Sequence, residues 1–218
     1  MASQPAAPDR DCDLCPRLVD FRLLHRENEP EWHNAPVPSF GTLDARLLIV
    51  GLAPGLRGAN RTSRPFTGDW AGDLLYDTLA AFGFAQGQYD KHPDDGLMLS
   101  DCRITNAVRC VPPENKPTTA ESKACLPFLT AEIAAMPNLK IILSLGGISH
   151  GMVLVALGQR KSAWRFSHGA MHPVTPAFQL ANSYHCSRYN TNTGRLTTAM
   201  FHDVFRAIRS VLDKDDRE

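Results

Sequence analysis

A chain of 218 residues, 43% hydrophobic and 21% charged, is long enough to bury one α/β core and short for two. Lysine plus arginine and aspartate plus glutamate both number 23, so net charge neither demands nor excludes a polyanionic partner; a nucleic-acid surface must come from local clustering. No apolar run reaches the length of a bilayer span and residues 1–10 lack an apolar leader segment, so the expectation is a soluble, cytoplasmic protein with no membrane partner, whose six cysteines stay reduced; a monomer is expected.

Met1 to Arg10 has no periodicity and reads as a flexible leader, Asp213 to Glu218 as a flexible charged tail, and residues 11–212 as a single domain. Cys12-x-x-Cys15 precedes a short amphipathic pattern at Leu18, Val19, Arg22 and Leu23, a metal knuckle leading into a helix. Trp32 to Phe40, with its prolines, is irregular, and Leu47 to Leu52 is the first central strand. Gly51 to Gly72, reading GLAPGLRGANRTSRPFTGDWAG, follows it: rigid with glycine and proline, bearing Arg57, Arg61 and Arg64, and holding no acid before Asp69. A cationic loop at the carboxyl end of a strand is where open α/β sheets hold their ligands.

Ala71, Leu74, Leu75, Thr78, Leu79 and Phe82 space a helix that stops at Gly83. Leu97 to Leu99 and Ile104 to Val108 are extended chain, with Asn106 inside the second piece. Thr118 and Glu121 form a capping box, opening a helix that contains Cys125 and is kinked or restarted by Pro127. Leu139 to Leu145 is the most strand-like run, Gly146-Gly147 turns it into a helix through Met152 to Leu157, and Gln159 to Pro176 has no period. Phe178 to Ser183 is another strand, and Leu196, Met200, Val204, Ile208 and Val211 space a final amphipathic helix. Strands alternating with helices give an α/β fold: a mostly parallel sheet with helices on both faces and right-handed crossovers.

Four thiols, Cys12, Cys15, Cys110 and Cys125, match the number wanted by a tetrahedral zinc or an iron–sulfur cluster, whereas Cys102 and Cys186 have no partner spacing and read as core. Asp69 fits two roles, a helix cap or a carboxylate that orients and deprotonates water beside a cationic loop. Asp73 and Asp77 compete for the second role but lie on the helix beyond, where they are solvated. His185 stands past a strand end in a segment, Tyr184 to Thr198, that holds Arg188 and Arg195 and no acid; Asn190, Thr191, Asn192 and Thr193 suit either a phosphate grip or an ordinary polar turn. Asn106 carries donors and an acceptor for one base edge or for backbone, and Phe66 is a stacking surface or a core plug.

GLAPGLRGANRTSRPFTGD at 51–69, the Asn106 strand with RCVPPENKPT at 109–118, and SYHCSRYNTNTGRLT at 183–197 together resemble the family 5 (UDGb-type) uracil-DNA glycosylases, over about Cys12 to Phe205. The resemblance implies a three-layer α/β/α sandwich with a central four-stranded, mostly parallel sheet. It also implies a 4Fe–4S cluster on Cys12, Cys15, Cys110 and Cys125, zinc being the alternative. The implied activity is removal of uracil, and of other deaminated or damaged bases, from double- and single-stranded DNA by hydrolysis of the N-glycosidic bond. Carried over by position, Asp69 handles the attacking water, His185 lies near the leaving base, Phe66 stacks on the flipped base, and Asn106, Gly51 and Ala53 line the base pocket. Arg61, Arg188, Asn190, Asn192 and Arg195 fall on DNA-binding positions, with the NTNTGRLT loop in the minor groove. Many members have histidine where this chain has Arg57. The alternatives are a uracil-specific family 4 enzyme, a non-catalytic iron–sulfur DNA-binding protein, and a zinc-bearing hydrolase of nucleotides.

Overall fold

A computed structural model describes residues 5–215. In chain order the elements are α1 (Pro16–Asn28), β1 (Leu47–Gly51), α2 (Ala59–Thr62), α3 (Trp70–Ala81), β2 (Ala85–Gln86), β3 (Met98–Leu99), β4 (Cys102–Asn106), α4 (Thr119–Ala134), β5 (Ile141–Leu145), α5 (Gly147–Ala156), β6 (Met171–His172), β7 (Gln179–Ser183), α6 (Arg188–Asn192) and α7 (Thr198–Asp215). The main sheet runs β4-β1-β5-β7-β6, parallel except for β6.

The apolar runs of β1 and β5 show no polar alternation because both faces are covered, and every residue in both strands is buried. Side chains of β1 alternate between two cores: Leu47 and Ile49 pack with Leu75 and Leu79 of α3 and Phe201 and Phe205 of α7, while Leu48 and Val50 pack with Leu129 of α4 and Val153 of α5. These are the three layers expected.

The sheet has five strands rather than four. The extra one, β6, is a two-residue antiparallel edge on β7 inside the stretch that showed no period, because two residues carry no pattern to read. Likewise Leu97 to Leu99 yields only β3, paired with β2 in a separate two-stranded sheet. Helix α4 starts on its capping box, with both reciprocal bonds present, but runs unbroken through Pro127. Its distal turns are held by burial of Leu129 and Ile133 and by ion pairs from Glu132 to Arg103 and Arg109.

The inward face of α7 is Phe201, Val204, Phe205, Ile208 and Leu212; Met200 and Val211 only flank it, and Leu196 is buried ahead of the helix. The helix continues to Asp215, so residues 213–215 of the expected tail are helical and 216–218 lie outside the described residues, as do residues 1–4 of the leader. Among the described residues no helix is long and apolar enough to cross a membrane.

The chain leaves β1 toward β4 on one side and returns through α4 to β5 on the other. β1 is therefore the point where the winding reverses, and its carboxyl end opens a crevice.

Candidate active site

At that crevice lies a cavity of about 620 Å³. Its lining comes from three strand ends: Leu52, Ala53, Gly55, Arg57, Phe66 and Asp69 after β1, Asn106 at the end of β4, and His185, Ser187 and Arg188 after β7. Gly51 and Asn106 are register partners, which fixes the floor. Gly51 itself lies beneath the lining: a β-carbon there would fall 2.3 Å from Asn106 Oδ1 and 2.7 Å from Phe66 Cζ.

Asp69 fills both roles that its position permits. Its Oδ1 caps α3, accepting from the Ala71 and Gly72 amides at 3.1 and 3.3 Å. Its Oδ2 lies against Gly55 and Gly58, where an added β-carbon would come within 2.8 and 2.3 Å, so the glycines of the opening loop make room for a carboxylate. Burial raises its pKa against the opposing pull of the two amide bonds, and Asp73 adds a smaller repulsion. Asp73 is itself paired with Lys91 at 2.9 Å and does not line the cavity.

Phe66 is both wall and plug: it is 6% exposed, belongs to the core, and faces the His185 ring with centroids 5.9 Å apart. Its φ of 55° is a left-handed conformation that costs an aromatic residue about 1–3 kcal/mol. The turn is braced around it. Tyr89 donates to the Phe66 carbonyl and accepts from the Gly68 amide, both at 3.2 Å, and Tyr76 donates to the Pro65 carbonyl at 2.6 Å.

Arg64, one of the three cations of the loop, faces inward: its guanidinium pairs with Asp95 through two bonds of 2.8 and 2.7 Å and its Nε donates to Thr67. Asn60 is also interior, bonded to Asn34 at 2.8 Å. Within 60–64 only Arg61, expected on DNA, is fully exposed.

Asn106 Oδ1 is buried and has no partner. Burial pushes His185 down to about 4, so its imidazole is neutral at neutral pH. The backbone carbonyl of His185 accepts from Asn190 Nδ2 at 2.8 Å, so Asn190, expected on DNA, also ties α6 to the loop that carries His185. Arg188 lies at the cavity mouth with its guanidinium 5.4 Å from the Trp70 ring; Asn192 and Arg195 are exposed beyond it, Arg195 over Tyr184 at 4.8 Å. Trp70 was not legible as a site residue because it belongs to no apolar stripe. It is exposed beside Asp69 and donates its indole N–H to Thr191 of α6 at 2.9 Å, joining the cap of α3 to the cationic loop. Asn115, from the turn after Cys110, closes another side with φ of 57°.

Cys12, Cys15, Cys110 and Cys125 line one small separate pocket between α1, the end of β4 and α4. Ala53 packs on this cluster and also lines the large cavity, so the two sites share a wall. Burial pushes the Cys110 thiol up to about 12 and raises Cys15 and Cys125 as well. The Arg109 amide reaches Cys125 Sγ at 3.3 Å. Among the described residues no three His, Cys, Asp or Glu side chains meet at one metal-holding point; the four thiols share a pocket instead. Cys102 and Cys186 are core, 1% and 0% exposed.

The reversal point of this mostly parallel sheet thus gathers a capped carboxylate, an aromatic ring, an unpaired amide oxygen and a neutral imidazole on one cavity, groups suited to holding a flat polar ring such as a nucleobase. Residues 38–209 match the uracil DNA glycosylase superfamily, and the chain belongs to it. The similarity is to its type-5 branch: 45% identity to the type-5 uracil-DNA glycosylase of Thermus thermophilus over 88% of this chain and 90% of the relative, and 44% to that of Mycobacterium leprae over 89% of each. The type-4 uracil-DNA glycosylase of Pyrobaculum aerophilum is 34% identical over 69% of this chain and 63% of its own.

Proposed function

We propose that this protein is a monofunctional uracil-DNA glycosylase of DNA repair, which flips uracil and other deaminated bases from DNA and hydrolyses the N-glycosidic bond to leave an abasic site. The observation that carries this reading is the meeting of Asp69, Phe66, Asn106 and His185 on one cavity at the reversal point of the sheet.

Unstacking a base costs a few kcal/mol and least at a mismatch such as uracil opposite guanine. The flipped ring lies on Phe66, and a base N–H answers the unpaired Asn106 oxygen. Water held by Asp69 Oδ2 gives its proton to the carboxylate as its oxygen bonds to C1′, and the C1′–N bond electrons leave with the base. Asp69 also offsets the positive charge developing on the sugar. The neutral His185 ring donates to the base carbonyl where negative charge develops, and a donor fixed in place before the reaction is worth most there. Exposed Arg57, Arg61, Arg188 and Arg195 take the phosphates.

The four thiols fit a 4Fe–4S cluster: Cys12, Cys15, Cys110 and Cys125 would hold it, with the Arg109 amide and Arg22 guanidinium aimed at two of the sulfurs. These thiols sit between α1, the end of β4 and α4, behind Ala53, so a group held there would serve to join those elements. The test of the activity is incubation with a uracil-containing oligonucleotide, followed by alkali.

Gly51→Ala puts a methyl group between Asn106 and Phe66. It is expected to lower kcat/KM for uracil by about 10²-fold or more, since misplacement by an ångström costs that much, with little change in DNA affinity; steady-state kinetics with a gel-shift control measures both.

His185→Gln is expected to slow excision and to flatten the pH dependence of stability. The folded pKa of His185, about 4, lies below its ordinary 6.5, so the unfolded chain binds the extra proton between those values. The stability tied to the neutral ring is complete above 6.5 and is lost as pH falls toward 4. Urea titrations at several pH values should show a shallower loss in the variant; identical curves would remove the burial argument.

A further inference from the structure

Arg22 is a cation in a place that calls for an anion. It sits on α1, 3% exposed, and lines the four-thiol pocket. Its Nη2 donates to the Cys12 carbonyl at 3.0 Å and its Nη1 approaches Cys110 Sγ at 3.9 Å, while its Nε is buried with no partner. Among the described residues it makes no ion pair. Asp11 feels its field, but that carboxylate is bonded to Arg26 at 2.6 Å. A guanidinium buried without a carboxylate is costly unless a neighbouring charge answers it. The groups that face it are thiols, and four thiolates holding an iron–sulfur core outweigh the positive charge of that core.

We propose that Arg22 is the positioning cation of the four-thiol pocket: its fork bridges Cys12 and Cys110, holds those two ligand segments together, and sets the reduction potential and lability of the anionic group bound there. This rests on the cluster reading above. Reduction adds one negative charge beside the guanidinium, so removing the cation disfavours the reduced state and lowers the midpoint potential.

The test uses the loaded protein, purified without air, as wild type, Arg22→Gln and Arg22→Lys. Iron and sulfide per chain and the visible spectrum establish what is bound. Film voltammetry, with the electrode supplying the electron, gives the potential, and bleaching under EDTA gives the rate of loss. Arg22→Gln is expected to keep the wild-type spectrum, shift to lower potential and bleach about 10–100-fold faster. Arg22→Lys, which keeps the charge and loses the fork, should hold its potential closer to wild type and still bleach faster. Arg22→Gln equal to wild type in both potential and bleaching rate overturns the role of Arg22. If that variant gives no soluble protein, Arg22→Lys decides, and bleaching as slow as wild type overturns it. Wild type with neither iron nor sulfide overturns the cluster reading itself, whatever the variants do.

Discussion

Asp69→Asn is expected to cut single-turnover excision of uracil by about 10²–10⁴-fold while leaving the protein as stable as wild type or more so. The two halves of this result come from the two oxygens. Oδ1 accepts from the Ala71 and Gly72 amides, and asparagine caps a helix as well as aspartate does. Oδ2 is enclosed by Gly55 and Gly58, and burial holds the folded pKa above the ordinary 3.8. A raised folded pKa means the folded state favours the protonated acid, so at neutral pH the ionised carboxylate subtracts from stability. A neutral amide removes that cost together with the base that accepts the proton of water. Excess enzyme on a uracil-containing duplex gives the rate, a thermal melt gives the stability, and DNA affinity should be retained. A variant that excises normally would mark Asp69 as a cap alone, and one that melts well below wild type would show that its carboxylate adds to stability rather than subtracting from it.

Asp95→Asn is expected to cost about 3–5 kcal/mol of stability, because it leaves the buried Arg64 guanidinium without its charge partner. The side chains of Arg64 and Asp95 are 5% and 2% exposed. The cation is further enclosed by the rings of Phe40, Tyr76 and Tyr89 at 5.2, 5.5 and 5.8 Å. Through Thr67 it fixes the turn that keeps Phe66 in its left-handed conformation, so loosening the pair frees the stacking ring as well. Arg64 beside Asp95 holds that carboxyl well below the usual carboxylate range. The stability it confers is therefore complete above an ordinary carboxylate pKa of about 3.9 and is lost as pH falls below that. Urea denaturation at neutral pH should place the variant well below wild type. A loss under about 1 kcal/mol in Asp95→Asn would show that the brace does not hold the turn.

What the sequence made legible follows the range of its signals. Leu47 to Val50 and Leu139 to Leu145 read as strands because covered parallel strands are continuous apolar runs, and the Thr118–Glu121 box marks a helix start by local chemistry alone. Asp69 was legible as the only acid ending a cationic loop. The inward turn of Arg64 was not legible, because its partner Asp95 sits in a Pro-Asp-Asp-Gly turn, 31 residues away, that looks like ordinary surface. The bond from the Asn190 amide to the His185 carbonyl was not legible for the same reason. Tyr89 and Trp70 act through single hydrogen bonds across the fold, and no spacing announces those. The fifth strand is two residues long, shorter than any period can register.

Removal of uracil from DNA by hydrolysis is the activity that the meeting of Asp69, Phe66, Asn106 and His185 on one cavity supports. The most direct measurement is incubation of a labelled oligonucleotide, bearing one uracil opposite guanine, with the wild-type protein and with Asp69→Asn. Free uracil and strand scission are followed before and after alkali. Wild type is expected to release uracil and to give scission at the uracil position only after alkali, and the variant to lose both. An intact strand after wild-type treatment and alkali, with no free uracil, would contradict this reading.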